Sequence, residues 1–141
     1  MKGKKLVMLG LDNSGKTTLL YLVSRGQFVP AISTIGYNPE IFTFQKATYT
    51  LFDFGGKNID IHQVREYFVK AKGVIFAIDA SDRKRLEQSY KLFCSILQED
   101  HFQGLPILIF LCKSDLENPI TEEEIKNNFN LLKLSNIHWF V

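Results

Sequence analysis

Short apolar runs at residues 6–9, 74–78 and 107–111 punctuate the chain without a polar interruption. A strand with no polar alternation must bury both faces, so these runs predict central strands of a parallel sheet covered on both sides. Between them the apolar period changes to that of a helix. Leu86, Tyr90, Phe93, Cys94 and Leu97 follow Ser81-Asp82, which reads as an N-cap. Thr121-Glu122-Glu123-Glu124 forms a capping box ahead of Ile125, Phe129 and Leu132. Ile61, Val64 and Phe68 share one face of a helix predicted over residues 59–69. Residues 41–52 differ, because β-branched and aromatic residues flank Gln45-Lys46-Ala47, the pattern of a hairpin. Alternating strands and helices with one hairpin predict an α/β fold, a doubly wound and mostly parallel sheet with one antiparallel hairpin strand.

Ligands of such sheets bind beyond the carboxyl ends of the strands. The first strand delivers Gly10-Leu11-Asp12-Asn13-Ser14-Gly15-Lys16-Thr17, which fits the phosphate-binding pattern G-x-x-x-x-G-K-[ST]. Gly10 and Gly15 let backbone N–H groups face phosphate oxygens, with Asp12, Asn13 and Ser14 in the variable positions. Lys16 can reach the β- and γ-phosphates, the Thr17 hydroxyl can ligate Mg²⁺, and a helix starting near Lys16 aims its positive end at the same anion. Leu51-Phe52 deliver Asp53-Phe54-Gly55-Gly56: Asp53 suits a second metal-site carboxylate, and Gly56 lets its N–H approach the γ-phosphate. The third apolar run delivers Cys112-Lys113-Ser114-Asp115. The Asp115 carboxylate can accept from both N1–H and the exocyclic amine of guanine, a pairing adenine does not offer, and the Lys113 stem can lie across the base.

Composition adds limits. The 141 residues suit one domain over 1–141, and 45% hydrophobic with 23% charged residues is ordinary for a globular protein. A net charge of +2 argues neither for nor against nucleic acid, and nucleic acid is not among the expected partners. Cys94 and Cys112 lie far apart, and His62, His101 and His138 lack metal-ligand spacing, so a disulfide framework or zinc site is not expected. No apolar run approaches the roughly 20 residues of a membrane helix. There is no secretory pattern at the N-terminus, and Lys2 rather than Gly follows Met1, which excludes N-myristoylation of the chain as written. A reducing, cytoplasmic setting is expected.

Together with Thr18 and with Thr34-Ile35-Gly36-Tyr37-Asn38, these motifs resemble a small GTPase of the ADP-ribosylation-factor (Arf and Arf-like) family along essentially the whole chain. The resemblance implies a P-loop GTPase fold with a six-stranded sheet, GTP/GDP and Mg²⁺ as cofactors, and effector, exchange-factor and activating proteins as partners. It implies that Thr34 ligates Mg²⁺ in the GTP state, that Gly56 anchors the second switch segment, and that Tyr37, Phe52 and Tyr67 form an effector patch. Membrane trafficking or ciliary transport, and peripheral membrane association through segments outside this chain, are implied on the same ground.

Three departures from the family pattern matter. Lys57 stands where a glutamine usually orients the attacking water, so Lys57 is the catalytic position in doubt and slow hydrolysis is expected. Cys112 stands where an asparagine begins the base motif, so weaker nucleotide affinity is expected. The chain stops at Trp139-Phe140-Val141, in the expected sixth strand, so the last helix is expected to be missing and the domain truncated. The leading reading is a switch that binds GTP·Mg²⁺ and hydrolyses it slowly. The alternative is a non-hydrolysing or weakly nucleotide-binding interaction module, and a small phosphotransferase, with few arginines available, ranks last.

Overall fold

The computed structural model describes residues 3–27, 36–57 and 59–141. In chain order it places β1 (Lys4–Gly10), α1 (Lys16–Arg25), β2 (Tyr37–Phe44), β3 (Ala47–Phe54), α2 (Ile61–Phe68), β4 (Ala71–Asp79), α3 (Leu86–Leu97), β5 (Ile107–Cys112), α4 (Glu122–Asn128) and β6 (Trp139–Phe140). The sheet is six-stranded, in the order β2-β3-β1-β4-β5-β6. Every neighbouring pair is parallel except β2 with β3. This is the doubly wound α/β architecture with one antiparallel hairpin strand.

Side chains alternate between the faces, so the sheet feeds two cores. Val7, Leu9, Phe52, Phe54, Phe76 and Ile109 bury against the side carrying α2, α3 and α4. Met8 and Leu51 point the other way and pack under Leu20 of α1. Asp53 lies between Phe52 and Phe54 and therefore faces α1, which is what brings it to the start of that helix.

The hairpin is longer than residues 41–52: pairing runs from Tyr37↔Phe54 to Phe44↔Ala47. Its turn contracts to Gln45 and Lys46, both at positive φ (47° and 64°), as a two-residue turn between twisted strands requires. Pro39 sits in β2, at the sheet edge, where a missing N–H costs no ladder bond.

Four local expectations are corrected. α2 begins at Ile61, because the Asp60 carboxylate accepts from the N–H of His62 at 2.9 Å and caps it there. Asp82 does not cap α3: Arg85 Nε takes its carboxylate at 2.7 Å, and a 3-10 turn, Arg83–Arg85, precedes the helix. The capping box at Thr121 and Glu124 is present, but α4 ends at Asn128, and Leu132, 77% exposed in the following turn, leaves the buried face. Among the described residues, β5 is fully covered on one face and only partly on the other. Leu108 and Phe110 are 38% and 39% exposed on the side of α1, which packs chiefly on β1, β2 and β3.

Candidate nucleotide-binding site

β1 runs straight into the phosphate loop, and Gly10 is its last residue. The loop closes with Gly15, at φ 98°, as the N-cap of α1, whose first turn has neither a side-chain cap nor an acidic residue. The amide donors of that turn are therefore left for an anion, and the helix dipole favours one. Lys16 is buried, at 5% exposure, and its Nζ donates to Leu11 O at 2.8 Å. Burial pushes its pKa down, and the nearby Asp53 and Asp12 carboxylates partly offset this. Thr18 is half-buried one position beyond Thr17 on α1. Ser14 Oγ is buried and has no hydrogen-bond partner among the described residues.

Asp53, fully buried at the end of β3, accepts a hydrogen bond from the Thr17 hydroxyl. Two of the three oxygen ligands expected for a metal thus come together from different elements, Thr17 from α1 and Asp53 from β3. Farther along, the Gly56 backbone lies directly against the loop. A Cβ there would sit 2.3 Å from Asp12 N and Leu11 C and 2.5 Å from Gly10 O, so only glycine fits. Gly55 N donates to Gly36 O at 2.8 Å, joining the segment that precedes the hairpin to the one that follows it. Thr34 lies outside the described residues.

On the other side β5 delivers Cys112, buried beneath the phosphate loop: a Cβ on Gly15 would lie 3.0 Å from Cys112 Cβ and 3.2 Å from Sγ. Burial, with the Asp79 charge nearby, pushes the thiol up to about 11, so it stays protonated at neutral pH. Lys113, at φ 58°, sends Nζ to Asn13 O and to Asp79 Oδ2, both at 2.7 Å. Asp115 is exposed in the turn just beyond. Asp79 was missed by sequence reasoning, although the rule that selected Asp53 finds it: it is the carboxylate that ends the apolar run of β4. Burial raises its pKa, but the Lys113 ammonium and the Ser81 donors outweigh this and hold it below the usual carboxylate value.

The residues fit a nucleoside phosphate. A buried ammonium, an unsatisfied buried hydroxyl and a glycine cradle that a Cβ would fill converge on one loop. A hydroxyl and a carboxylate are hard oxygen donors suited to Mg²⁺, which Thr17 and Asp53 would hold. Across its full length, residues 1–141, the chain matches the model of the ADP-ribosylation factor family. It belongs to that family. Among solved structures it is similar to the Arl6 BBS3 small GTPase of Trypanosoma brucei with bound nucleotide analogue GppNp. That match has 30% identity and a TM-score of 0.86, and it covers 97% of this chain and 83% of that one.

Members of this family are GTPases, and in them the position of Lys57 bears on hydrolysis. Lys57 is exposed, adjoins the loop-packed Gly56, and lines an open depression of about 390 Å³ with Tyr37, Phe54, Asp60 and Gln63. Tyr37, Phe52 and Tyr67 do come together: Tyr67 lies 5.5 Å from Tyr37 and 5.3 Å from Phe52, centroid to centroid. Phe54 joins them at 4.8 Å from Tyr67, a member sequence reasoning missed, although the period of β3 puts it on the same face as Phe52. Phe52 is buried, while Tyr37 is 49% exposed, so Tyr37 presents the cluster to solvent.

Cys112→Asn is expected to tighten nucleotide binding. The amide would restore polar contacts between base site and phosphate loop where the thiol offers a weak donor. One ordinary hydrogen bond corresponds to about 1 kcal/mol, or roughly a fivefold slower release of a fluorescent guanine nucleotide. An unchanged release rate would show that the surroundings already compensate for the cysteine.

Proposed function

We propose that this chain is a guanine-nucleotide-dependent switch that binds GTP and GDP with Mg²⁺ and hydrolyses GTP slowly. The observation that carries this reading is the convergence of the Thr17–Asp53 pair and Gly56 on a phosphate loop that also buries Lys16. The similarity to a family member solved with a bound GTP analogue supports it. Gly10, Asp12, Asn13, Ser14, Gly15, Lys16, Thr17 and Thr18 hold the phosphates, Cys112, Lys113 and Asp115 hold the base, and Thr17, Thr34 and Asp53 serve the metal. When bound, Mg²⁺ neutralises charge on the β- and γ-oxygens. The Lys16 ammonium adds to that neutralisation, and contact between Gly56 and the loop lets the second switch segment register whether a γ-phosphate is present.

Hydrolysis requires a water held in line, which an amide does by donating and accepting at once. A protonated lysine has donors only. Slow turnover and a long-lived GTP state follow, with effector, exchange-factor and activating proteins as partners and the Tyr37–Phe52–Tyr67 cluster as the effector-facing patch. A role in membrane trafficking or ciliary transport, from a cytoplasmic and peripheral membrane location, rests on family membership alone. Lys57 and Cys112 favour a second reading, a GTPase-like interaction module that does not turn over or binds nucleotide weakly.

The deciding experiment identifies the copurifying nucleotide and follows single-turnover GTP hydrolysis with and without Mg²⁺. Lys57→Gln is expected to raise that rate by about a hundredfold, the lower end of what a positioned proton-transfer or orienting group supplies. A fall in rate would instead make Lys57 a built-in cation at the γ-phosphate. Absence of hydrolysis in both proteins, with nucleotide bound, would establish the interaction module.

A further inference from the structure

Cations from outside the phosphate loop hold two of its successive carbonyls. Lys113 takes Asn13 O at 2.7 Å, and Arg85 Nη2 takes Asp12 O at 2.6 Å. The same guanidinium donates through Nη1 to Asp12 Oδ1 at 2.8 Å and through Nε to Asp82 Oδ2 at 2.7 Å. Arg85 thus grips both the carbonyl and the carboxylate of one loop residue, and it is anchored from behind by an acid three positions earlier. A planar fork with fixed donors can do this; a lysine point charge cannot.

The grip has two consequences for a phosphate ligand. Carbonyl and N–H point in opposite directions across a planar trans peptide, so holding Asp12 O outward aims the Asn13 N–H inward. Asn13 sits at φ 58°, in the left-handed region that asparagine tolerates better than other non-glycine residues, and the two tethered carbonyls on either side favour keeping it there. The second consequence is electrostatic. A carboxylate within the loop repels phosphate, and here it is turned away and paired, its pKa held low chiefly by the hydrogen bond from Arg85.

We infer that Arg85 is a positioning residue for nucleotide retention: it preorganises the phosphate loop through Asp12 and couples that loop to the turn leading into α3. The inference rests on the nucleotide-binding reading above. It goes beyond it by making the surface at the start of α3 a lever on nucleotide release, since anything that draws Arg85 away frees the Asp12–Asn13 peptide.

The test compares wild type, Arg85→Ala, Arg85→Lys, Asp12→Asn and the Asp12→Asn/Arg85→Ala double variant. It uses amide hydrogen exchange at residues 12–14 in nucleotide-free protein and release of methylanthraniloyl-GDP. The Arg85 and Asp12 side chains are 28% and 34% exposed, so solvent screening trims a charge-assisted bond to about a tenfold effect. Arg85→Ala should raise both loop exchange and release by about that factor. Arg85→Lys should fall between it and wild type, and added salt should narrow the gap. In the Asp12→Asn background, loss of Arg85 should accelerate release distinctly less, a non-additivity that a generally loosened fold does not produce. Unchanged exchange and release in Arg85→Ala, or equal acceleration in both backgrounds, overturns the inference. Should Arg85→Ala fail to fold, wild-type behaviour of both Arg85→Lys and Asp12→Asn overturns it equally. A wild type that binds no guanine nucleotide sinks the proposed function, while the exchange measurement still decides whether Arg85 holds the loop.

Discussion

Asp115→Asn should move the nucleotide preference of this chain from guanine to xanthine. A carboxylate offers acceptors to both N1–H and the exocyclic amine of guanine. An asparagine amide replaces one acceptor with a donor, which faces the amine of guanine with a like group and matches the 2-carbonyl of xanthine. The turn that carries Asp115 is held at its entry, because Lys113 is tied at 2.7 Å to both the phosphate loop and Asp79. The side chain therefore has little freedom to evade the mismatch by moving its backbone. Discrimination against a ligand that leaves polar groups unmatched reaches roughly 2–4 kcal/mol, some thirty- to a thousandfold. Competition between XTP and GTP, read by calorimetry on wild type and variant, checks it. Undiminished GTP affinity in Asp115→Asn would mean that the base is held elsewhere.

The strand ends were legible because a carboxyl terminus in a parallel sheet is fixed by the apolar run before it. The run at residues 6–9 locates the phosphate loop, Leu51-Phe52 locate Asp53, and the run at residues 107–111 locates Lys113 and Asp115. Asp79 obeys the same logic. Arg85 does not, since nothing in Arg83-Lys84-Arg85 distinguishes the residue that turns inward from its exposed neighbours. Its direction goes with the 3-10 turn that replaces the expected helical start, a turn across which Arg85 Nε donates to the Asp82 carboxylate. The pattern Leu108-Ile109-Phe110 says strand, but its lack of polar alternation overstates the cover: Ile109 is buried, while its neighbours on the α1 side remain more than a third exposed. Hydrophobic pattern records what a face prefers, and contact depends on which helix reaches it. The crowding at Gly56 was legible only as a permissive glycine. That it abuts Leu11 and Asp12 depends on how β3 and β1 are staggered, a property of register rather than of either segment.

Lys16→Met should abolish tight nucleotide binding without lowering the stability of the nucleotide-free protein. The ammonium is 5% exposed and satisfies itself on Leu11 O at 2.8 Å, while burial pushes its pKa down. A charge kept there against a desolvation cost favours an anion more than it favours the fold. Removing it leaves phosphate oxygens without a buried partner, a loss of about 3 kcal/mol or more, over a hundredfold in affinity. Methionine of similar length keeps the packing, and Asp53 keeps its bond from Thr17. The pH dependence follows from the direction of the shift. Because the folded pKa lies below the unfolded one, the unfolded chain binds more protons between the two values, and wild-type stability rises with pH there. Any thermal advantage of the Met variant should thus be greatest below the folded pKa and shrink as pH climbs towards the ordinary lysine value of about 10.4. Phosphate reverses the shift, so wild type should take up protons on binding GDP at alkaline pH. Calorimetry in buffers of different ionisation enthalpy reads that uptake directly. A Met variant that retains wild-type GDP affinity would remove Lys16 from the phosphate site.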